Sequence, residues 1–134
     1  MNSRSKGKRG EIEWRNELRA AGWPDAKRGQ QRSGLEEADV VGGPVGIHWE
    51  VKRVERLNLA EAVAQAERDA QGSVPVVAHR RNREREWRAT VPARWLLDVL
   101  ALLDTLGYDP RDIPTMRRRP PPDEDPGLGG ESDA

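Results

Sequence analysis

The chain has no cysteine among its 134 residues, which excludes disulfides, zinc–thiolate sites and a thiol nucleophile. Its two histidines, His48 and His79, lie in strand-like segments without the spacing of metal ligands. No apolar run approaches the length of a membrane span, and the N-terminus lacks the apolar stretch of a signal peptide. The sequence therefore predicts a cytoplasmic protein without a membrane segment, long enough for one domain with a core.

Net charge is absent as well, since 23 basic residues balance 23 acidic ones, but the charges are segregated. Residues 1–33 carry nine basic and four acidic side chains, and residues 79–94 carry six arginines and two glutamates. Residues 109–134 carry four arginines and seven acids. Two basic segments suit a polyanionic partner such as nucleic acid, although charged runs also serve solubility alone.

Two short apolar segments carry a pair of carboxylates and a lysine. Asp39 lies in residues 38–41, and Glu50 and Lys52 lie in residues 47–52. Side chains alternate along a strand, so Glu50 and Lys52 point to the same side. The glycine-rich turn between the two segments can fold Asp39 back beside them.

Clustered carboxylates are costly unless a cation balances them, and oxygen ligands select a hard ion such as Mg²⁺. A Mg²⁺ ion beside a lysine is suited to attack on a phosphodiester. The alternative is a surface ion pair on a half-exposed hairpin. The spacing of three charged residues leaves both open, because 34% of the chain is charged.

A first helix is predicted over about residues 7–21, after a loose basic arm at residues 1–6. Helical periodicity places Glu11 at the border of its apolar face, whereas Glu13 points toward solvent. Glu11 is then either a functional acid that faces inward or a first-turn glutamate favoured by the helix dipole.

The remaining pattern alternates strands and helices. Asn58 and Glu61 form an Asn-x-x-Glu capping box for the second helix. The expected elements are a strand at 25–28, a polar loop at 29–34, a helix at 59–71, antiparallel strands at 73–79 and 86–91, and a helix at 93–106.

The third helix is apolar over more than one face, since Leu97 and Leu100 lie outside its main stripe. Such a helix is either unusually buried or in contact with a second subunit. Beyond it the composition becomes rich in proline, arginine, glycine and acids, which cannot bury a core. We therefore expect a folded domain at 1–108 and a disordered tail at 109–134.

The order of elements, with an acid in the first helix, Asp39 in an early strand and Glu50-x-Lys52 in the next, resembles the PD-(D/E)XK nuclease superfamily. Within it, the chain resembles the archaeal-type Holliday junction resolvases, including versions encoded by phages. It departs from the usual pattern at Ala38, where proline is common. The matching residues, spread over 5–106, are Lys6-Gly7, Glu11, Leu18, Gly22-Trp23, Arg28, Ser33-Gly34, Asp39, Glu50-Val51-Lys52 and Gln65.

The resemblance implies an α/β fold with a restriction-endonuclease-like core, in which helices flank a central mixed β-sheet. It implies that Asp39, Glu50 and the Val51 carbonyl hold Mg²⁺, for which Mn²⁺ substitutes. Glu11 would approach as a second-metal or water ligand. Lys52 would orient or help to deprotonate the attacking water and stabilise the developing phosphorane charge.

Other residues are expected to support the site or contact DNA. Arg32 and Ser33 could touch the scissile phosphate, and Gln65 either supports the site from behind or caps a helix edge. A junction enzyme needs two active sites, so a homodimer on branched DNA is expected. The further basic residues expected to bind DNA are Lys6, Lys8, Arg9, Arg28, Arg53, Arg81 and Arg83.

The most specific hypothesis is thus a metal-dependent endodeoxyribonuclease that resolves four-way junctions. Its alternatives are a related nuclease that cuts flaps, ends or specific sites, a DNA-binding module without catalysis, and a protein-interaction scaffold. The joint presence of Glu11, Asp39, Glu50 and Lys52 argues against a module that has lost catalysis. A scaffold leaves the clustered carboxylates and the basic segments unexplained.

Overall fold

The computed structural model describes the backbone of residues 3–32, 35–36 and 38–114, and the side chains of residues 7–30 and 38–114. The sequence predicts the order of helices and longer strands, and the structure adds a short hairpin. The elements are α1 (Ser3–Ala20), β1 (Lys27–Arg28), β2 (Gln31–Arg32), β3 (Leu35–Glu36), β4 (Val40–Val41), β5 (Ile47–Arg53), α2 (Leu59–Asp69), β6 (Val74–Arg80), β7 (Arg88–Thr90), α3 (Ala93–Thr105) and a 3₁₀ turn (Pro110–Asp112).

Five strands form a mixed sheet in the order β1-β4-β5-β6-β7. Strands β5 and β6 run parallel, and the other neighbours are antiparallel. The parallel pair requires a crossover connection, which α2 provides. The predicted α/β fold, with a central mixed sheet flanked by helices, is confirmed.

The two faces of the sheet carry different helices. Val51 of β5 packs in a cluster with Leu18 of α1. Val77, the cross-strand partner of Glu50, packs in a second cluster with Ala66 of α2. Since side chains alternate along a strand, the even-numbered residues of β5 lie on the α2 face and the odd-numbered ones on the α1 face.

Helix α1 begins at Ser3, so the prediction of a loose arm over residues 1–6 is wrong for residues 3–6. Lysine and arginine are good helix formers, and no proline precedes Pro24, so the helix extends through this segment. At Gly10 the helix lies close to β5, because a Cβ there would stand 3.0 Å from the Arg53 Cβ. This close approach brings the acids of α1 to the end of the sheet.

The segment predicted as a polar loop at 29–34 contains regular structure instead. Gln31 pairs with Glu36, and Arg32 pairs with Leu35, in a two-stranded antiparallel sheet. The chain connects the two strands by two residues only, a typical length for a β-hairpin. These segments lack a strong alternation of apolar residues, so no local pattern indicated the two strands.

Helix α2 begins as predicted. The Asn58 Oδ1 accepts a hydrogen bond of 3.1 Å from the Glu61 N–H, which confirms the cap. The return bond of the expected capping box runs between side chains, from Asn58 Nδ2 to Glu61 Oε2 at 3.3 Å. The helix ends at Asp69, two residues earlier than predicted, because Gln71 and Gly72 adopt φ angles of 47° and 91°.

The chain divides into two compact units, Met1–Trp95 and Leu96–Ala134. No residue of α3 is buried, so burial does not explain its apolar character. The 3₁₀ turn that follows is capped by Asp109, whose Oδ1 accepts from the Arg111 N–H at 2.9 Å. Residues 115–134, most of the predicted tail, lie outside the described residues, and their disorder stays a prediction.

Among the described helices, none combines the length and the apolar character needed to cross a lipid bilayer.

Candidate active site

Asp39 lies at the point where β4 separates from β5. Its main chain belongs to the sheet, since its N–H donates to the Trp49 carbonyl at 2.9 Å. Its side chain bonds to β5 two residues further along that strand, where Asp39 Oδ2 accepts a hydrogen bond of 2.8 Å from the Val51 N–H. One carboxylate therefore caps the edge of β5 that β4 leaves uncovered.

Glu50 lies beside Asp39, on the α2 face of β5, and is 3% exposed. Its Oε1 stands 3.5 Å from the Lys52 Nζ. Burial and the negative charge of Asp39 raise the pKa of Glu50 to about 7, although Lys52 opposes the rise. The strand alternation that places Glu50 and Lys52 on one side thus brings a buried carboxylate, a second carboxylate and an ammonium group together.

Glu11 reaches the same place from α1. Its Oε2 accepts a hydrogen bond of 2.9 Å from the Arg28 Nε, and its side chain is 17% exposed. Burial raises the pKa of Glu11, and the hydrogen bond from Arg28 opposes this. Asp39 raises and Lys52 lowers the same pKa, so both charges are close enough to act on Glu11.

The cluster has a deficit of positive charge. Three carboxylates meet two cationic side chains, Lys52 and Arg28. The raised pKa of Glu50 results first from its burial and then from the negative charge of Asp39. Carboxylate oxygens are the donors that Mg²⁺ prefers, and a divalent cation would relieve the repulsion between Asp39 and Glu50. The residues present therefore fit a magnesium site.

A second group of possible metal ligands shares Glu50. The ligand atoms of His48, Glu50 and Asp69 all lie within 4.8 Å of one another. Burial lowers the pKa of His48, while the charges of Asp69 and Asp39 oppose this. Sequence reasoning missed this group, because His48 has no local partner at ligand spacing and Asp69 lies on another element. The available signal was that His48 and Glu50 are two residues apart on one strand, so their side chains lie on the same face.

The basic residues predicted to bind DNA fall into different environments. Lys8 and Arg9 are exposed on α1, and Arg81 and Arg83 are exposed in the turn after β6. Arg28 is engaged by Glu11. The side chains of Lys6, Arg32 and Ser33 lie outside the described residues. Gln65 is half-buried on α2, and both of its predicted roles stay open.

Arg53 belongs to a partly buried ion-pair network. Its Nη1 donates to Glu13 Oε1 at 2.7 Å, and Arg80 Nη2 donates to Glu13 Oε2 at 2.8 Å. Arg80 also lies over the Trp87 ring, with 5.8 Å between its Cζ and the ring centroid. The prediction that Glu13 points toward solvent is wrong, because two arginines at the ends of β5 and β6 reach this face of α1.

Lys52 lines an open cleft of about 390 Å³. Among the described residues that line it, the only acid is Glu84. The sequence predicted DNA contact for Arg81 but not for Arg80 and Arg88. These two lie on the neighbouring strands β6 and β7, and only the pairing of those strands brings them together. The lining residues are Lys52, Val54, Leu57, Leu59, His79, Arg80, Arg81, Glu84 and Arg88.

Comparisons with known proteins give a likeness in structure. No family model matches the chain, and no curated protein matches it. Among solved structures, the chain is similar to Hjc of Archaeoglobus fulgidus, a Holliday junction resolvase from an archaeal hyperthermophile. The two share 25% sequence identity, the match covers 64% of this chain and 75% of that one, and the TM-score is 0.45.

Proposed function

We propose that the protein is a Mg²⁺-dependent DNA endonuclease that resolves four-way junctions by paired hydrolysis of phosphodiester bonds. One observation carries the proposal, the meeting of Asp39, Glu50 and Lys52 where β4 leaves the edge of β5. Buried carboxylates with a raised pKa and a specific charged partner are typical of catalytic sites. A surface ion pair would not place Glu50 in the interior.

Asp39 and Glu50 would hold the metal ion together with the Val51 carbonyl. The N–H and C=O of one strand residue point toward the same neighbour, so the Val51 carbonyl faces the edge where its N–H meets Asp39. When bound, Mg²⁺ would polarise the scissile phosphate and make an attacking water more acidic. The two carboxylates would fix its position against that edge.

Lys52 would act on the charge that develops during attack. Its side chain is 31% exposed, so its ammonium group can contact both Glu50 and a phosphate in the open cleft. A fixed positive charge beside the phosphorane lowers the barrier, because the charge grows toward the transition state. Lys52 would also orient the attacking water by a hydrogen bond.

Glu11 would complete the site from α1. Arg28 holds its carboxylate by a 2.9 Å hydrogen bond, which leaves the other oxygen for a water or a second cation. Its electrostatic coupling to Asp39 and Lys52 supports this position. The Arg28 contact and the partial burial of Glu11 support the interpretation of Glu11 as an inward-facing acid.

The cleft beside Lys52 would take the DNA backbone. Arg80, Arg81 and Arg88 line it, and arginine is well suited to bidentate phosphate contacts. Arg80 is partly committed to Glu13, so Arg81 and Arg88 are the freer contacts. Binding through such contacts should weaken steeply with salt, because phosphate contacts release counterions.

Junction selectivity and dimerisation rest on the chemistry of the substrate. A four-way junction has two strands of like polarity to cut, and a two-fold dimer would present two identical sites to them. The exposed leucines of α3 are our choice for the dimer interface. A flap, end or site-specific nuclease remains the second candidate, since it would use the same catalytic group.

Labelled four-way, flap and linear DNA of equal length, incubated with and without Mg²⁺, test the proposed function. We expect paired nicks in the four-way junction, dependent on Mg²⁺ or Mn²⁺. Equal cutting of all three substrates would favour the general nuclease. Tight binding without cutting under any divalent metal would leave only the DNA-binding module.

A further inference from the structure

The α2 face of the sheet carries a cluster of possible metal ligands, of which the proposed nuclease chemistry uses only Glu50. We propose that His48, Glu50 and Asp69 form a binding site for a divalent transition-metal cation, distinct from the magnesium site at Asp39. The three ligand atoms lie within 4.8 Å of one another. Asp39 and Lys52 are not part of this group.

His48 provides independent support. Its side chain is 7% exposed, and within the described part of the chain its Nε2 has no hydrogen-bond partner. This nitrogen points at the carboxylate of Glu50, with 3.9 Å between Nε2 and Oε2. A buried polar atom without a partner is uncommon and calls for a physical reason, such as an ion. A cation between the two groups supplies that reason.

Asp69 is unfavourably placed for a helix residue. It is the last residue of α2, where the helix dipole is negative and an acid is destabilising. Local departures from helix preference concentrate at functional sites. A cation here would be stabilised by both the carboxylate and the helix terminus. Asp69 is also only half-buried, so it offers a route by which an ion enters.

The distances between the three ligand atoms suit a single metal ion if the side chains move slightly closer together. Ligands at about 2.0–2.2 Å from one metal stand roughly 3–4.4 Å apart, depending on the geometry. The His48–Glu50 separation of 3.9 Å falls inside that range. The remaining separations in the group stay within 4.8 Å, and any excess over that range requires only a small shift of the Asp69 side chain at the end of α2.

The donor set selects the kind of metal. One imidazole nitrogen and two carboxylates suit zinc and manganese better than magnesium, which favours oxygen alone. Zn²⁺ lies above Mn²⁺ in the general order of affinity. We therefore expect Zn²⁺ to bind more tightly than Mn²⁺, and Mg²⁺ to leave this site unfilled.

Glu50 faces the two sites with different oxygens. Its Oε1 lies 3.5 Å from Lys52, and its Oε2 lies 3.9 Å from His48. The inference does not depend on nuclease activity, because the site can bind a metal in the absence of DNA. Its failure is therefore distinguishable from failure of the proposed function.

The test is titration of the full-length, DNA-free protein with Zn²⁺ by calorimetry and with Co²⁺ by visible absorption. Asp69→Asn and His48→Gln should each weaken Zn²⁺ binding by roughly tenfold or more, as loss of a ligand costs at least as much as loss of a supporting residue. His48→Gln should also change the Co²⁺ spectrum, since the nitrogen ligand is lost.

Three control variants locate the ion. Asp39→Asn removes the proposed magnesium ligand; since its charge acts on His48 and Glu50, Zn²⁺ affinity should change, but by much less than in Asp69→Asn. His79→Gln removes the other histidine, and Glu67→Gln removes an exposed acid of the same helix as Asp69; both should leave Zn²⁺ affinity unchanged.

Absence of Zn²⁺ binding to the wild-type protein would overturn the inference, as would equal affinity in Asp69→Asn and the wild type. Loss of binding in Asp39→Asn with retention in Asp69→Asn would place the ion at the other site. If His48→Gln does not fold, as judged by circular dichroism, Asp69→Asn decides the question alone.

Discussion

At the scale of single residues, the site depends on how each charge is surrounded. The sequence identified Asp39, Glu50 and Lys52 as neighbours, because strand alternation and a glycine-rich turn fix their relative positions. It could not predict that Glu50 is buried with a pKa near 7. That property depends on packing from α2 and on the distance to Asp39, neither of which a local pattern contains.

Glu11 and Glu13 show the same limit on one helix. Helical periodicity placed Glu11 at the border of the apolar face, and the structure brings it to the cluster. The same periodicity directed Glu13 to solvent, yet Arg53 and Arg80 bind it. The partners come from strands 40 and 67 residues away along the chain, so local spacing cannot reveal them.

Lys52→Ala should lower the cleavage rate by roughly 10²–10³-fold, as expected for removal of a group that stabilises transition-state charge. DNA affinity should change much less, because the proposed contact strengthens only as the reaction proceeds. Single-turnover kinetics and equilibrium binding to the same junction separate the two effects. An equal loss in affinity and rate would make Lys52 a phosphate anchor. Lys52→Arg tests whether charge alone is sufficient.

Glu50→Gln should stabilise the metal-free protein at pH 8 by roughly 1–3 kcal/mol. The pKa of Glu50 is raised from 4.5 to about 7, so the fold favours its protonated form. The associated stability is complete below pH 4.5 and is lost as the pH rises through 7. Glutamine mimics the protonated form at every pH and avoids that loss.

Urea denaturation at pH 5 and pH 8, with chelator present, measures the effect. The stability gain from Glu50→Gln should be large at pH 8 and small at pH 5, where wild-type Glu50 is mostly protonated. The exposed Glu17→Gln on α1 is the control and should show no such difference. A gain for Glu50→Gln that is independent of pH would contradict the assigned pKa.

At the scale of elements, the longer segments were predicted well because each carries its own signals. The Asn58 cap, Pro92 before α3, and the apolar strands β5 and β6 all mark their positions in the sequence. The hairpin of β2 and β3 carries none of these. Two-residue strands contain too few side chains to show a period, so only their pairing defines them.

The contact of α1 with β5 should be sensitive to a single methyl group. Gly10→Ala places a Cβ 3.0 Å from the Arg53 Cβ, so α1 and β5 must shift apart there by a few tenths of an ångström. We expect destabilisation of about 1–3 kcal/mol, typical of overpacking. Gly7→Ala is a matched control on the same helix, because nothing lies within 4 Å of the added atom.

Thermal or chemical denaturation distinguishes the two glycine variants. Gly7→Ala should be more stable than the wild type by about 0.5–1 kcal/mol, since alanine is the better helix former. Gly10→Ala should also lower cleavage, because the same movement displaces Glu11. Equal stabilisation by both substitutions would show that α1 does not press on β5 at Gly10.

At the scale of the whole molecule, the exposed leucines of α3 lead to our prediction of a dimer. Leu97 and Leu100 are 58% and 37% exposed, and an apolar helix surface of this kind is characteristic of an interface. Leu100→Glu should shift the protein from dimer to monomer in light scattering at micromolar concentration. Val45→Glu alters a fully exposed apolar residue in a turn and should leave the mass unchanged. A wild-type monomer, alone and on DNA, would contradict the dimer.

The most direct test of the active-site assignment compares cutting and binding of one labelled four-way junction by wild type, Asp39→Asn and Asp25→Asn across a Mg²⁺ titration. Asp25 is exposed and lies outside the cluster, so its variant should cut like the wild type. Asp39→Asn should bind the junction at least as tightly, because a negative charge near the phosphate is gone. It should nevertheless fail to cut at any Mg²⁺ concentration. Undiminished, Mg²⁺-dependent cutting by Asp39→Asn would contradict the assignment.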